Sequence, residues 1–254
     1  MFRRVQLRAW RRARGCLLST ARWGLLRYGS TRGVDGSNTV GQMKEGVHAE
    51  LDSLIRDLAR IARLAGRMMT DASIALHQAS WGLAEVVISA RDEVAELCHD
   101  TGQRCFAMLQ SSVPADLPMV VVALRTMGDL KRMCDLAQHI AKIARMKNLQ
   151  VSVPGDVRPV FARMGVLAAG LAEDAAMVIE NRDGWSCEQL SEVDAEVDAL
   201  RSRIFEILFS ENWSHGVEPA VDAALVGRYY ERFADHAVSI ARQVRFLKVG
   251  LPPT

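Results

Sequence analysis

A chain of 254 residues, 49% hydrophobic and 24% charged, is long enough for one or two compact domains with a substantial core. Its longest apolar runs are too short to cross a bilayer; MVVVAL (119–124) is about a third of a span. The net charge of +2 hides nine Arg against one Asp over residues 1–42, and 23 Lys plus Arg against 29 Asp plus Glu over 43–254, so the globular part is acidic and ill-suited to nucleic acid.

Residues 1–42 are Arg-rich, contain Ser and nearly lack acids. Such a segment suits a transit peptide or, with Trp10 and Trp23, a membrane-surface segment. The linker composition of GSTRGVDGSNTVG (29–41) favours a disordered basic extension, or codons upstream of a start at Met43. Five cysteines (Cys16, Cys98, Cys105, Cys134, Cys187) without a C-x-x-C pair argue for a reducing, cytoplasmic setting and against a disulfide framework.

From Met43 the period is helical. LIRDLARIARLAGRMM (54–69) sets Leu54, Leu58, Ile61, Leu64 and Met68 on one stripe. The prolines punctuate: Pro114 and Pro118 follow one helical stretch, Pro154 and Pro159 precede another, and Pro219 opens the last. The pattern predicts six helices, at 44–78, 82–112, 116–148, 157–181, 185–210 and 217–248. The fold class is all-α.

The chain also repeats. ARIARLAGRMMTDA (59–72) aligns with ARMGVLAAGLAEDA (162–175), and EVAEL (93–97) with EVDAL (196–200), both at an offset of 103. KRMCDLA (131–137) aligns with ERFADHA (231–237) at an offset of 100. Three matches in order predict two tandem three-helix repeats, 43–150 and 151–250.

Two three-helix repeats with an E-x-x-x-D motif on the third helix resemble the PhoU family. GRYYERFADHAVSIA (227–241) is similar to actinobacterial members, and MKEGVHAELDSL (43–54) resembles the family's usual N-terminus. The resemblance implies a non-enzymatic cytoplasmic regulator of phosphate uptake and phosphate-starvation signalling. It would be a homodimer that contacts the phosphate ABC transporter ATPase and a membrane sensor histidine kinase. It further implies that the motif carboxylates hold metal, with iron, manganese or zinc as the candidates.

Glu231 and Asp235 keep the motif, and hard oxygen donors one helical turn apart suit such ions. The alternative is a solvated face on which Arg228, Arg232 and Arg242 neutralise the two acids. In the first repeat Lys131 replaces the Glu, and its ammonium repels cations from the remaining candidate ligand, Asp135. Cys134 reads as a small core residue. Lys131 and Arg132, with Arg228 and Arg232 of the second repeat, are therefore candidates for contact with an anion or an acidic partner.

A di-iron carboxylate bundle would use Glu-x-x-His pairs, and the chain has Glu45/His48 and Glu96/His99. If the first two helices turn near residue 80, the two histidines lie about 20 Å apart and share no metal. A plain helical scaffold is the remaining alternative. His139 and His236 read as structural, and Trp213 with His215 as ordering the turn before the last helix. No P-loop, G-x-G-x-x-G, H-E-x-x-H or G-x-S-x-G motif is present.

Overall fold

The computed structural model describes residues 36–110, 116–146, 153–182 and 187–249. Of a first compact unit, Met1–Thr39, only the start of a helix falls among them; the bundle is the second unit, Val40–Thr254. The expectation for residues 1–35 thus lies outside the described residues. The elements are α1 (Gly36–Gln78), α2 (Trp81–Ser89), α3 (Arg91–Gln110), α4 (Leu117–Met146), α5 (Arg158–Asn181), α6 (Cys187–Leu208) and α7 (Val217–Val249). No strand occurs among the described residues.

Two boundaries differ from the pattern. Helix α1 begins at Gly36 rather than 44, through residues of linker composition. Once a long helix is nucleated, each added residue gains a hydrogen bond for a small entropic cost, so weak formers are carried along. The helix expected at 82–112 is two segments meeting at Ala90, whose N–H still bonds the Val86 carbonyl while its own carbonyl accepts from Val94. Ser80 caps the first segment, its Oγ accepting from Leu83 N at 3.4 Å, and Ala79 makes the reversal with φ 52°.

The stripe Leu54, Leu58, Ile61, Leu64 and Met68 is buried, but α1 is buried far more widely, with Ala59, Ala62, Ala65, Met69, Ala72 and Leu76 wholly covered. Its charged edges explain this, because α1 serves both repeats. Arg104 of α3 reaches Glu50 (2.7 Å) and Asp57, while Arg63 forks the Glu180 carboxylate of α5 at 2.6 and 2.7 Å and reaches Glu173 at 3.0 Å. A Cβ on Gly66 would stand 3.2 Å from Ala172 Cβ, and one on Gly165 would stand 2.6 Å from Ser73 Oγ. Each repeat thus gives a glycine to the close antiparallel crossing of α1 and α5.

The other crossing is α4 on α7. Asp129 meets Ser239 and His139 stacks on Tyr229, so the helices run antiparallel. That register sets Cys134 level with Ala234, and both are fully buried. Small side chains at the crossing let the helices approach closely, and burial pushes the Cys134 thiol far above its usual range. Equivalent residues of the two repeats therefore face each other across this helix pair. Cys134 is the core residue the sequence suggests.

Candidate functional site

Helix α7 presents two different faces. Toward α6 it offers Glu231 and Asp235. Glu231 is 8% exposed, held by Arg228 one turn back on its own helix, with Arg201 Nε of α6 at 3.8 Å. Asp235 is exposed. Across from them stand Asp194 and Asp198 of α6. Burial pushes the Asp194 carboxyl up to about 6, and the negative charges of Asp235, Asp198 and Glu231 add to this against Arg242. Asp194 Oδ1 is buried without a hydrogen-bond partner.

Four carboxylates thus lie along the α6–α7 seam within electrostatic reach of Asp194, where the sequence pattern named only two. The missed pair is Asp194-x-x-x-Asp198, which has the same one-turn spacing as Glu231-x-x-x-Asp235 and was legible as such. A half-buried acid with an orphaned oxygen near three other acids offers hard oxygens of the kind that a divalent or ferric cation takes. Among the described residues no three His, Cys, Asp or Glu side chains are gathered tightly enough to hold an ion as they stand. Glu231 would have to leave Arg228 to join such a site.

The first repeat lacks the counterpart. At the offset of 103, Asp194 and Asp198 correspond to Arg91 and Ala95, and Lys131 stands for Glu231. Lys131 Nζ lies 3.2 Å from Asp135 Oδ2, so the residue at the position of Glu231 pairs with the acid one turn on. Asp135 does not fit a cation site.

Toward α4, α7 builds a different surface. Arg228 and Arg232 line a groove of about 420 Å³ with Arg132 of α4, walled by the stacked His139 and Tyr229 rings, whose centroids lie 5.1 Å apart. Lys131 does not line it. The expected neutralisation of Glu231 and Asp235 by three arginines is therefore only partly right. Arg228 does bind Glu231, but Arg232 turns to the groove.

The histidines have structural partners. His236 Nδ1 lies 2.9 Å from Asp129 Oδ1, and His215 Nε2 lies 2.7 Å from Asp156 Oδ2, its ring edge-on to Trp213. Trp213 Nε1 donates to the Gly216 carbonyl at 2.9 Å, which fixes the turn before α7. His48, Glu96 and His99 are exposed rather than directed into the bundle, so they do not form a di-iron core; the Glu45 side chain lies outside the described residues. No described helix is long and apolar enough to cross a membrane.

Comparison with known proteins agrees with this duplicated architecture. The PhoU domain matches twice, over residues 58–144 and 161–244. "Phosphate-specific transport system accessory protein PhoU homolog 2" of Mycobacterium tuberculosis is 39% identical over 213 residues, which is 83% of this chain and all of that protein. "PhoU homolog 1" of Mycobacterium leprae is 38% identical, over 83% of this chain and 96% of its own length. Among solved structures, PhoU from Pseudomonas aeruginosa superposes with a TM-score of 0.74 at 22% identity, covering 80% of this chain and 99% of that one. PhoU from Streptococcus pneumoniae gives 0.73 at 19%, covering 81% and 98%. With both three-helix repeats matched and the fold shared, the chain belongs to the PhoU family.

Proposed function

We propose that this protein is a non-enzymatic accessory regulator of phosphate uptake, which keeps the phosphate-starvation response off when phosphate is ample. The observation that carries this reading is the full-length match to relatives named as phosphate-transport accessory proteins. The regulator acts by contact, as a cytoplasmic protein and homodimer, with the ATPase of a phosphate ABC transporter and with a membrane sensor histidine kinase. Deletion from the host should raise phosphate-regulon reporter output in phosphate-rich medium, and the protein should co-purify with the ATPase and the kinase. Unchanged reporter output and uptake, in a strain without a second copy, would sink the reading.

We propose further that the α6–α7 acidic face binds iron, manganese or zinc through Glu231, Asp235, Asp194 and Asp198, whereas Asp135 takes no part. The orphaned Asp194 oxygen supports this. The bound ion would supply positive charge that relieves the repulsion among these acids. Titration of purified protein with each metal should show saturable binding that is lost in Glu231→Ala/Asp235→Ala and kept in Asp135→Ala. Equal loss in both variants would return Asp135 to the site.

A further inference from the structure

The groove between α4 and α7 has a composition that the acidic face does not explain. Arg132 and Arg232 occupy equivalent positions in the two repeats, at the offset of 100. The antiparallel register brings both into one groove, where Arg132 stands level with His236 and Arg232 level with Leu136. These levels are four residues apart, about 6 Å along the axis. Neither guanidinium forms an ion pair among the described residues; the one carboxylate lining the groove, Asp135, has its Oδ2 3.2 Å from Lys131 Nζ. Arg228 lines the same wall, and the stacked His139 and Tyr229 close one side.

Isolated surface arginines are usually solvated and need no ligand. Two features set these apart. Three arginines against one carboxylate leave the groove with an excess of positive charge, and an anion between the guanidiniums lowers their repulsion. The acids in and around the groove are engaged already: Asp135 with Lys131, Asp129 with His236, Ser239 and Gln243, and Glu231 with Arg228 and Arg201.

We infer that this groove is a binding site for a small phosphate-bearing anion, gripped by Arg132 and Arg232 as one guanidinium from each repeat. Planar guanidinium forks match phosphoryl oxygens bidentately, which favours an oxyanion over a halide, and the higher charge of a phosphoryl group suits two such forks better than a single carboxylate does. The groove is open to solvent and, at about 420 Å³, has room for an anion with more than one phosphoryl group or an organic part. His139 and Tyr229 would flank that remainder. The site stands on the groove's geometry and does not depend on a cation at the acidic face.

The test is calorimetric titration of the full chain with orthophosphate and, separately, pyrophosphate. The proposal expects saturable binding, tighter for pyrophosphate, that weakens at least tenfold in Arg132→Ala/Arg232→Ala. Because both side chains are exposed, that variant should melt within a few degrees of the parent. Arg132→Lys/Arg232→Lys keeps the charge but loses the forks, and should fall between the two. Arg203→Ala removes one exposed positive charge of α6, away from the groove, and should leave binding within twofold. Failure of both probes to bind the parent would overturn the site, as would a loss in Arg203→Ala equal to that of the double variant.

Discussion

The carboxylate of Asp129 on α4 accepts from His236 Nδ1 at 2.9 Å, from Ser239 Oγ at 2.9 Å and from Gln243 Nε2 at 2.6 Å, so one first-repeat acid holds three residues of α7. Asp129 and His236 side chains are each only 17% exposed. Charge-assisted bonds to a half-buried acid are among the stronger polar contacts in a fold, and their loss leaves partners unsatisfied. Asp129→Ala should therefore cost about 2–3 kcal/mol in denaturant unfolding. Asp129→Asn, which keeps one acceptor oxygen, should cost less. An effect under about 0.5 kcal/mol in the Ala variant would show that the network does not hold the repeats together.

The same acid carries a pH signature. Burial works to raise its pKa, but the bonds from His236, Ser239 and Gln243 outweigh it, and the net shift is downward. A carboxyl depressed in the fold contributes stability above its unfolded pKa and loses it as pH falls through the folded value. The melting temperature of the parent should thus fall toward that of Asp129→Asn as pH drops below about 4. A constant gap between the two down to pH 2 would contradict this.

Asp194 should show the opposite slope. Its carboxyl is pushed up to about 6 in the fold, so its contribution to stability is full below the unfolded value and is lost as pH rises through about 6. A shift of this size has a ceiling of about 3 kcal/mol, and partial exposure reduces it to about 1 kcal/mol. Asp194→Asn should accordingly stabilise the metal-free protein near pH 7.5 and have little effect at pH 4. The check is a pair of chelator-treated denaturant curves at each pH, and an Asn variant less stable than the parent at pH 7.5 would refute it.

Gly165 tests the α1–α5 crossing. An added Cβ would lie 2.6 Å from Ser73 Oγ and 3.0 Å from Ser73 Cβ, and 3.5 Å from the Tyr230 hydroxyl. Ser73 Oγ is 2.8 Å from that hydroxyl, and Tyr230 is fully buried. Helix propensity alone would favour alanine by roughly 1 kcal/mol. Overpacking costs about 1–3 kcal/mol, and displacing Ser73 also strands a buried hydroxyl, so Gly165→Ala should destabilise on balance. The variant Gly165→Ala/Ser73→Ala should recover part of the loss, measured in the same unfolding assay.

These relationships mark where the sequence was legible. Periodicity and the internal offsets are properties of single helices and of their order, so the α class and the duplication could be read from residues such as Leu54, Leu58 and Ile61 without coordinates. Pairing between helices could not. Glu231 and Asp235 were visible because they share a helix turn, whereas Asp194 and Asp198 join them only through the packing of α6 on α7. Asp129 lies off the motif stripe of α4, and that rotation is what aims it at α7. Arg232 was read as neutralising Glu231 and Asp235 because spacing cannot distinguish the two sides of α7, one facing α6 and the other the groove.

Arg228 is the one side chain that belongs to both sides. It binds Glu231 and also lines the groove with Arg132 and Arg232. Removing it should therefore act on the two proposed ligands with opposite signs. Without Arg228, Glu231 loses a competing positive charge and becomes freer to meet a cation, while the groove loses a positive charge that attracts an anion. Its side chain is 43% exposed, so each effect should be modest, about 1 kcal/mol or roughly fivefold in affinity. In titrations of Arg228→Ala, manganese should bind more tightly and pyrophosphate more weakly than in the parent. The same linkage has a consequence for the unaltered protein: an anion that draws Arg228 into the groove releases Glu231, so each ligand should tighten the other by an equal factor. If Arg228→Ala weakens both ligands alike, Arg228 is a structural support for α7 and the two faces are not coupled through it.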